Sequence, residues 1–215
     1  MKLLLDIGNT LTKWSLVSDD QTFDIALKLS IQSSLSSTFI EQLPSASTLS
    51  SIICSSVLSP EATEEIKSAL LNKYSNSSWH LLNGASALTF ISNPYQEPLK
   101  LGSDRRAMTI ATTVAYPHQR TLIISAGTTT TIDIVDQHSH LGGWILPGPT
   151  LMTESLVGGT ANLPHANSHD MPLFSLGQST TEGIKQGVLA ALLGALPLML
   201  GDGWGSELRD RKSVV

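Results

Sequence analysis

Leu4-Leu-Asp-Ile-Gly-Asn-Thr-Leu-Thr12 and Ile123-Ile-Ser-Ala-Gly-Thr-Thr-Thr-Thr131 can be laid over each other at an offset of 119 residues. Each copy runs an apolar strand into a glycine followed by hydroxyl side chains. Lys2 to Leu5 and Thr12 to Val17 read as strands, the second alternating Thr12, Trp14, Leu16 against Lys13, Ser15, Val17. Thr121 to Ile124 and Thr131 to Val135 repeat the arrangement around the second turn. Two strands about a small-residue turn, occurring twice, predict a chain built from two similar halves.

The elements around these turns support that reading. Ser51 to Val57 and Trp79 to Leu82 read as strands, and Glu61 to Tyr74 and Asp104 to Ala115 as helices. Ser30 to Ser50 carries Ile31, Leu35, Phe39, Ile40 and Leu43 at near-helical spacing and is expected to be an amphipathic helix. Gly142 to Gly148 reads as a turn-rich segment, and Thr180 to Leu200 as a long apolar helix with Pro197 near its end. Such βα alternation in both halves predicts an α/β fold of two lobes, residues 1–115 and 116–215, with a cleft between them.

Composition narrows the partners. The chain has 215 residues, 41% of them hydrophobic and only 14% charged, so a packed core is expected. The net charge is −5, and no basic cluster is denser than Arg209, Arg211 and Lys212, which argues against a nucleic-acid partner. The longest apolar run, Val188 to Leu200, is interrupted by Gly194 and Pro197 and is shorter than the ~18 residues that span a bilayer. One cysteine, Cys54, inside an apolar run, reads as a small buried hydrophobe and fits a reducing compartment. A cytoplasmic protein without a membrane span is expected.

Three segments carry candidate chemistry. In Asp6-Ile-Gly-Asn-Thr10 with Lys13, glycine lets backbone approach an anion, Asn9 and Thr10 can face phosphate oxygens, and Asp6 can hold Mg²⁺. The same residue types also make ordinary hairpin turns. In Ala126-Gly-Thr-Thr-Thr-Thr131 with Asp133 the alternative is a Thr-rich strand of high β-propensity. Two such turns could grip a triphosphate from both sides, with Asp6 and Thr128 on opposite walls. In Leu101-Gly-Ser-Asp-Arg105-Arg106, Asp104 could accept a proton from a substrate hydroxyl and Arg105 could fork onto a carboxylate. Otherwise Ser103 or Asp104 caps the helix and the arginines are solvated.

Taken together, these segments resemble the type III pantothenate kinases, a branch of the acetate and sugar kinase, Hsp70 and actin superfamily. The resemblance rests on Asp6 to Lys13, Ser55-Ser-Val57, Tyr95 with Gly102-Ser-Asp-Arg105, Gly127-Thr128 with Thr131 and Asp133, Gly143 to Gly148, Leu163-Pro164, and Gly177-Gln-Ser-Thr180 running into Gly187. It implies two actin-like (ribonuclease H-like) lobes and ATP-dependent phosphorylation of pantothenate to 4′-phosphopantothenate, the first step of coenzyme A biosynthesis, by a homodimer. By position, Asp6, Ile7, Gly8, Asn9, Thr10, Leu11, Thr12, Lys13 and Thr128 would contact ATP. Tyr95, Gly102, Ser103, Asp104 and Arg105 would contact pantothenate, with Asp104 as general base. Thr180 would reach the pantothenate of the partner subunit.

The resemblance also implies Mg²⁺ and a monovalent cation, K⁺ or NH₄⁺. Where the family has an aspartate for that cation, this chain has Ser125, a neutral oxygen. Family members continue for roughly another strand-helix unit, including a Thr-Gly-Gly segment near the adenosine, so an incomplete second lobe is expected. Asp210 to Val215 reads as a non-native tail. Ser125 and the incomplete lobe favour an alternative, a non-catalytic accessory protein that binds ATP without turnover. A third reading is another superfamily hydrolase, an ATPase or polyphosphate phosphatase. Tyr95 with Asp104-Arg105 favours pantothenate.

Overall fold

The structure is a computed structural model, and it describes residues 1–8, 11–19, 30–32, 40, 43, 49–159 and 175–204. The chain divides into two compact units, Met1–Thr121 with Ile134–Gly142, and Leu122–Asp133 with Gly143–Val215.

Period-two patterning builds the first sheet. In β1 (Lys2–Ile7) the inward positions Leu3, Leu5 and Ile7 are buried and alternate with partly exposed neighbours. β2 (Thr12–Val17) pairs antiparallel with β1, placing Asp6 opposite Lys13. β4 (Ser51–Ser56) lies parallel on the other side of β1, and β5 (Ser78–Leu82) parallel to β4. With β3 (Ser30–Gln32) at one edge, the sheet order is β3-β2-β1-β4-β5.

The helix expected over Ser30 to Ser50 is corrected at its start. Ser30–Gln32 is a strand, β3, paired with β2 through Ile31 opposite Lys13. Serine competes for backbone hydrogen bonds and is a poor helix former, and the open edge of β2 supplies the alternative. Most of the remainder lies outside the described residues, but Leu43 and Leu49 are buried in the core.

Helix α1 (Pro60–Lys73) starts where its sequence says it should. The Ser59 side chain accepts the Ala62 amide, Pro60 begins the first turn, Glu61 sits at the positive end of the helix dipole and Lys73 at the negative end. Its Ile66 and Leu70 pack with Leu3, Leu5, Ile7, Ile52 and Cys54 into one core. Burial pushes the Cys54 thiol up to about 12, with the nearby Asp6 charge adding to the shift. Cys54 should therefore resist iodoacetamide at pH 8 in the native protein and react fully in denaturant. Fast labelling of the native chain would contradict this burial.

A short 3₁₀ turn, Pro98–Lys100, precedes helix α2 (Ser103–Ala115). Three further strands, β6 (Arg120–Ala126), β7 (Thr129–Asp136) and β8 (Ser139–Pro147), form a sheet in that order. Gly142 to Gly148, expected as a turn, is instead strand as far as Pro147. Ladder bonds use backbone groups and so do not need the side chains that glycines lack, and Gly142 adopts φ +126, which few other residues tolerate. Helices α3 (Pro149–Gly159) and α4 (Thr180–Trp204) pack together, with Thr153 buried on α3 and Ile184, Val188 and Ala195 on α4. Among the described residues no helix is long and apolar enough to cross a membrane.

Candidate active site

The first glycine turn joins β1 to β2. The Gly8 amide donates to the Leu11 carbonyl at 3.0 Å, and a Cβ on Gly8 would stand 3.0 Å from that same oxygen. Asp6 and Lys13 are cross-strand neighbours, carboxylate to ammonium 3.6 Å, with both side chains nearly half exposed. Such a pair is screened by water and leaves the Asp6 carboxylate accessible to a ligand. Ile7 and Thr12 are each 1% exposed, so they offer a ligand main chain rather than side chain. Asn9 and Thr10 lie outside the described residues, as do Leu163 and Pro164.

The second turn joins β6 to β7. The Gly127 amide donates to the Thr129 carbonyl at 3.0 Å, and the Gly148 amide to the Thr128 carbonyl at 2.9 Å. A Cβ on Gly148 would lie 2.0 Å from the Gly127 oxygen and 2.7 Å from the Thr128 oxygen, so β8 ends pressed against this turn. Thr128 is exposed and Ser125 half-buried. Asp133 is 1% exposed, in a strand stretch where Thr130 and Thr131 are also buried. The Thr-rich strand reading thus holds for Thr130 and Thr131, while Thr128 is exposed at the turn.

At the start of α2 the arginines are buried, which goes against the alternative of a merely capped helix with solvated arginines. Arg105 is 3% exposed; its Nη1 donates to the Tyr95 hydroxyl at 2.9 Å, and its guanidinium carbon lies 5.9 Å from that ring's centroid. Arg106 is fully buried. Ser103 does not cap the helix: Gly102 occupies the cap position without a side-chain bond. The Ser103 hydroxyl instead donates to the Ser56 carbonyl at 2.9 Å and accepts from Ser55 at 3.1 Å, tying α2 to β4. Asp104 remains half-buried in the first turn and accepts the Arg105 amide at 2.7 Å. A Cβ on Gly102 would stand 2.6 Å from Asp104 Oδ1, so the glycine makes room for the carboxylate. Tyr95, Asp104 and Arg105 are thereby gathered within one unit: a proton acceptor beside a buried fork of donors.

Thr180 begins α4 and is exposed. The helix start is capped reciprocally, Ser179 Oγ accepting the Glu182 amide at 3.2 Å and Glu182 accepting the Gln178 amide at 2.8 Å. Sequence reasoning missed the roles of Arg106, Asn93 and Gly148. An Arg-Arg pair at a helix start and an Asn-Pro before the tyrosine were the available signals, but what each touches comes from distant carbonyls.

A family model described as type III pantothenate kinase matches residues 2–200. A type III pantothenate kinase of Herminiimonas arsenicoxydans is 33% identical over 200 residues, covering 91% of this chain and 78% of that protein. One of Colwellia psychrerythraea is 32% identical over 198 residues, covering 91% and 76%. The crystal structure of a conserved Campylobacter jejuni protein described as a Baf family transcriptional activator matches with TM-score 0.50 at 21% identity, covering 90% of this chain and 77% of that one, a likeness of fold.

Proposed function

The chain belongs to the type III pantothenate kinase family, and we propose that it transfers the γ-phosphoryl group of ATP to the primary hydroxyl of pantothenate, giving 4′-phosphopantothenate for coenzyme A biosynthesis. The observation that carries the reading is the cluster at the start of α2, where the Asp104 carboxylate stands next to the buried Arg105 and its half-buried partner Tyr95. Asp104 accepts the hydroxyl proton as the oxygen attacks phosphorus, and the Arg105 guanidinium with the Tyr95 hydroxyl binds the polar groups of pantothenate. Gly102 and Ser103 line the same end. The Asp6–Lys13 turn and Thr128 contact ATP, largely through main-chain amides and hydroxyls, which suits a reaction in which the protein chiefly positions groups and neutralises charge.

Magnesium is held in proteins through one or two carboxylates plus substrate phosphates, and the accessible Asp6 carboxylate fits that pattern. When bound there, Mg²⁺ would supply charge neutralisation of the phosphates. The monovalent cation does not fit equally well, because Ser125 offers only a neutral hydroxyl. Turnover should therefore be insensitive to KCl when titrated against a bulky-cation salt of equal ionic strength, and Ser125→Asp should confer K⁺ stimulation. Strong K⁺ activation of the unmodified chain would show that other oxygens hold the ion. A homodimer, with Thr180 reaching the partner's pantothenate, and a cytoplasmic location complete the proposal.

A coupled ADP-release assay with and without pantothenate tests the reading. ADP formed only when pantothenate is present supports the kinase. Pantothenate-independent ADP would indicate an ATPase, and ATP binding with no ADP under either condition would indicate the accessory-protein alternative.

A further inference from the structure

We propose that Arg106 is the positioning residue for the pantothenate-binding end of the site, holding the segment that carries Tyr95 in register with Arg105. The proposal rests on the reading above, in which Tyr95 and Arg105 bind pantothenate. The segment between β5 and α2, residues 83–102, has little regular structure, and long irregular stretches hold one conformation only when tethered. Arg106 provides the tether from the helix side. Its Nε donates to the Ser86 carbonyl at 2.8 Å, Nη1 to the Ser92 carbonyl at 3.0 Å and Nη2 to the Ile91 carbonyl at 2.6 Å. These bonds clamp two stretches of the segment to α2 a few residues ahead of Tyr95.

The chemistry of Arg106 makes this role specific. The side chain is 0% exposed, and no carboxylate among the described residues pairs with it. Burying a cation without a counter-ion is unfavourable, and desolvation holds the Arg106 pKa below its ordinary value. Carbonyl dipoles arranged around the planar fork offset that cost, an arrangement that an apolar side chain of the same volume could not reproduce. Asn93 completes the tether from within the segment, donating to the Gly84 and Pro98 carbonyls at 2.7 and 3.1 Å and accepting the Tyr95 amide at 3.0 Å. Ile91, also 0% exposed, anchors the chain between the Ser86 and Ser92 contacts. Adjacent residues of one helix thus act on one segment: Arg106 fixes its backbone, and Arg105 meets its tyrosine hydroxyl.

The test is titration calorimetry of pantothenate and of ATP on the full chain and on Arg106→Met, Arg106→Lys, Tyr95→Phe and Arg105→Lys. Arg106→Met should weaken pantothenate binding about tenfold or more, because three carbonyls, that of the buried Ile91 among them, lose their donors and the segment shifts. ATP affinity should stay within about twofold, since among the described residues of the Asp6–Lys13 turn none is bonded to the Ser86, Ile91 or Ser92 carbonyls that Arg106 holds. Arg106→Lys should recover part of the loss, because it restores the charge without the fork. Tyr95→Phe should add little in the Arg106→Met background if Arg106 acts through Tyr95. If Tyr95→Phe or Arg105→Lys weakens pantothenate binding but Arg106→Met does not, the positioning role is wrong and the site reading stands. If neither Tyr95→Phe nor Arg105→Lys changes pantothenate affinity, the site reading fails and the proposal fails with it. Should Arg106→Met not fold, hydrogen exchange of the unmodified chain decides. Amides of residues 86–95 should slow about tenfold or more when pantothenate binds, and exchange that is fast with and without pantothenate overturns the proposal.

Discussion

Asp104→Asn is expected to lower kcat by about 10²- to 10⁴-fold, the range for loss of a positioned general base, with ATP affinity changed by no more than about twofold. The reason lies in how the residue is held. Asparagine keeps the shape of aspartate, and its amide oxygen can still accept the Arg105 amide that Asp104 Oδ1 receives at 2.7 Å. It also still fits beside Gly102, where a Cβ would come within 2.6 Å of Asp104 Oδ1. What the substitution removes is proton acceptance. Steady-state kinetics together with a nucleotide titration separate the two effects. A parallel loss of ATP affinity would assign Asp104 to the nucleotide, and an unchanged kcat would remove it from the chemistry.

Gly148→Ala should be the most disruptive single-methyl change in the described part of the second unit. The added carbon would lie 2.0 Å from the Gly127 carbonyl oxygen and 2.7 Å from that of Thr128, and both are backbone atoms that cannot rotate away. Either β8 lifts off the turn, breaking the 2.9 Å bond from the Gly148 amide to Thr128, or the turn itself moves. Overpacking of this kind costs about 1–3 kcal/mol or more. For a chain of this length each kcal/mol corresponds to roughly 2–4 °C in Tm. If Thr128 contacts ATP, nucleotide affinity should fall as well, by about tenfold or more for a lost contact near the phosphates. Gly194→Ala is the control. Nothing lies within 4 Å of a Cβ at Gly194, which sits within α4, so alanine there should stabilise the helix by ~1 kcal/mol. Equal melting temperatures for the two variants would refute the contact at Gly148.

Local signals were legible wherever a residue's role depends on its immediate neighbours. Lys2 to Leu5 and Thr12 to Val17 announced a hairpin because alternation has a period of two and glycine marks the turn. Glu61 to Tyr74 announced α1 because good helix formers and the helical spacing of Ile66, Leu70 and Leu71 both act within a few residues. The same locality explains the errors. Ile31, Leu35 and Phe39 have helical spacing, yet Ser30–Gln32 became a strand because β2 offered an open edge to it. Gly142 and Gly143 read as a turn, yet β8 runs through them because a neighbouring strand can pair with any backbone.

The sequence by itself determined the paired glycine turns, the α/β alternation, the position of Asp104 at a helix start and, through its ordered motifs, the family. Only the tertiary structure decided that Arg105 is buried against Tyr95, that Arg106 holds three carbonyls, and that Gly148 closes on Thr128. The division has a physical cause. A strand, a cap or a turn is selected by energies that act over a few residues, and those leave a pattern in the order of the amino acids. The burial of a guanidinium, or the approach of one backbone to within touching distance of another, depends on groups brought together from distant parts of the chain, and an arginine or a glycine looks the same in sequence whether or not those groups arrive.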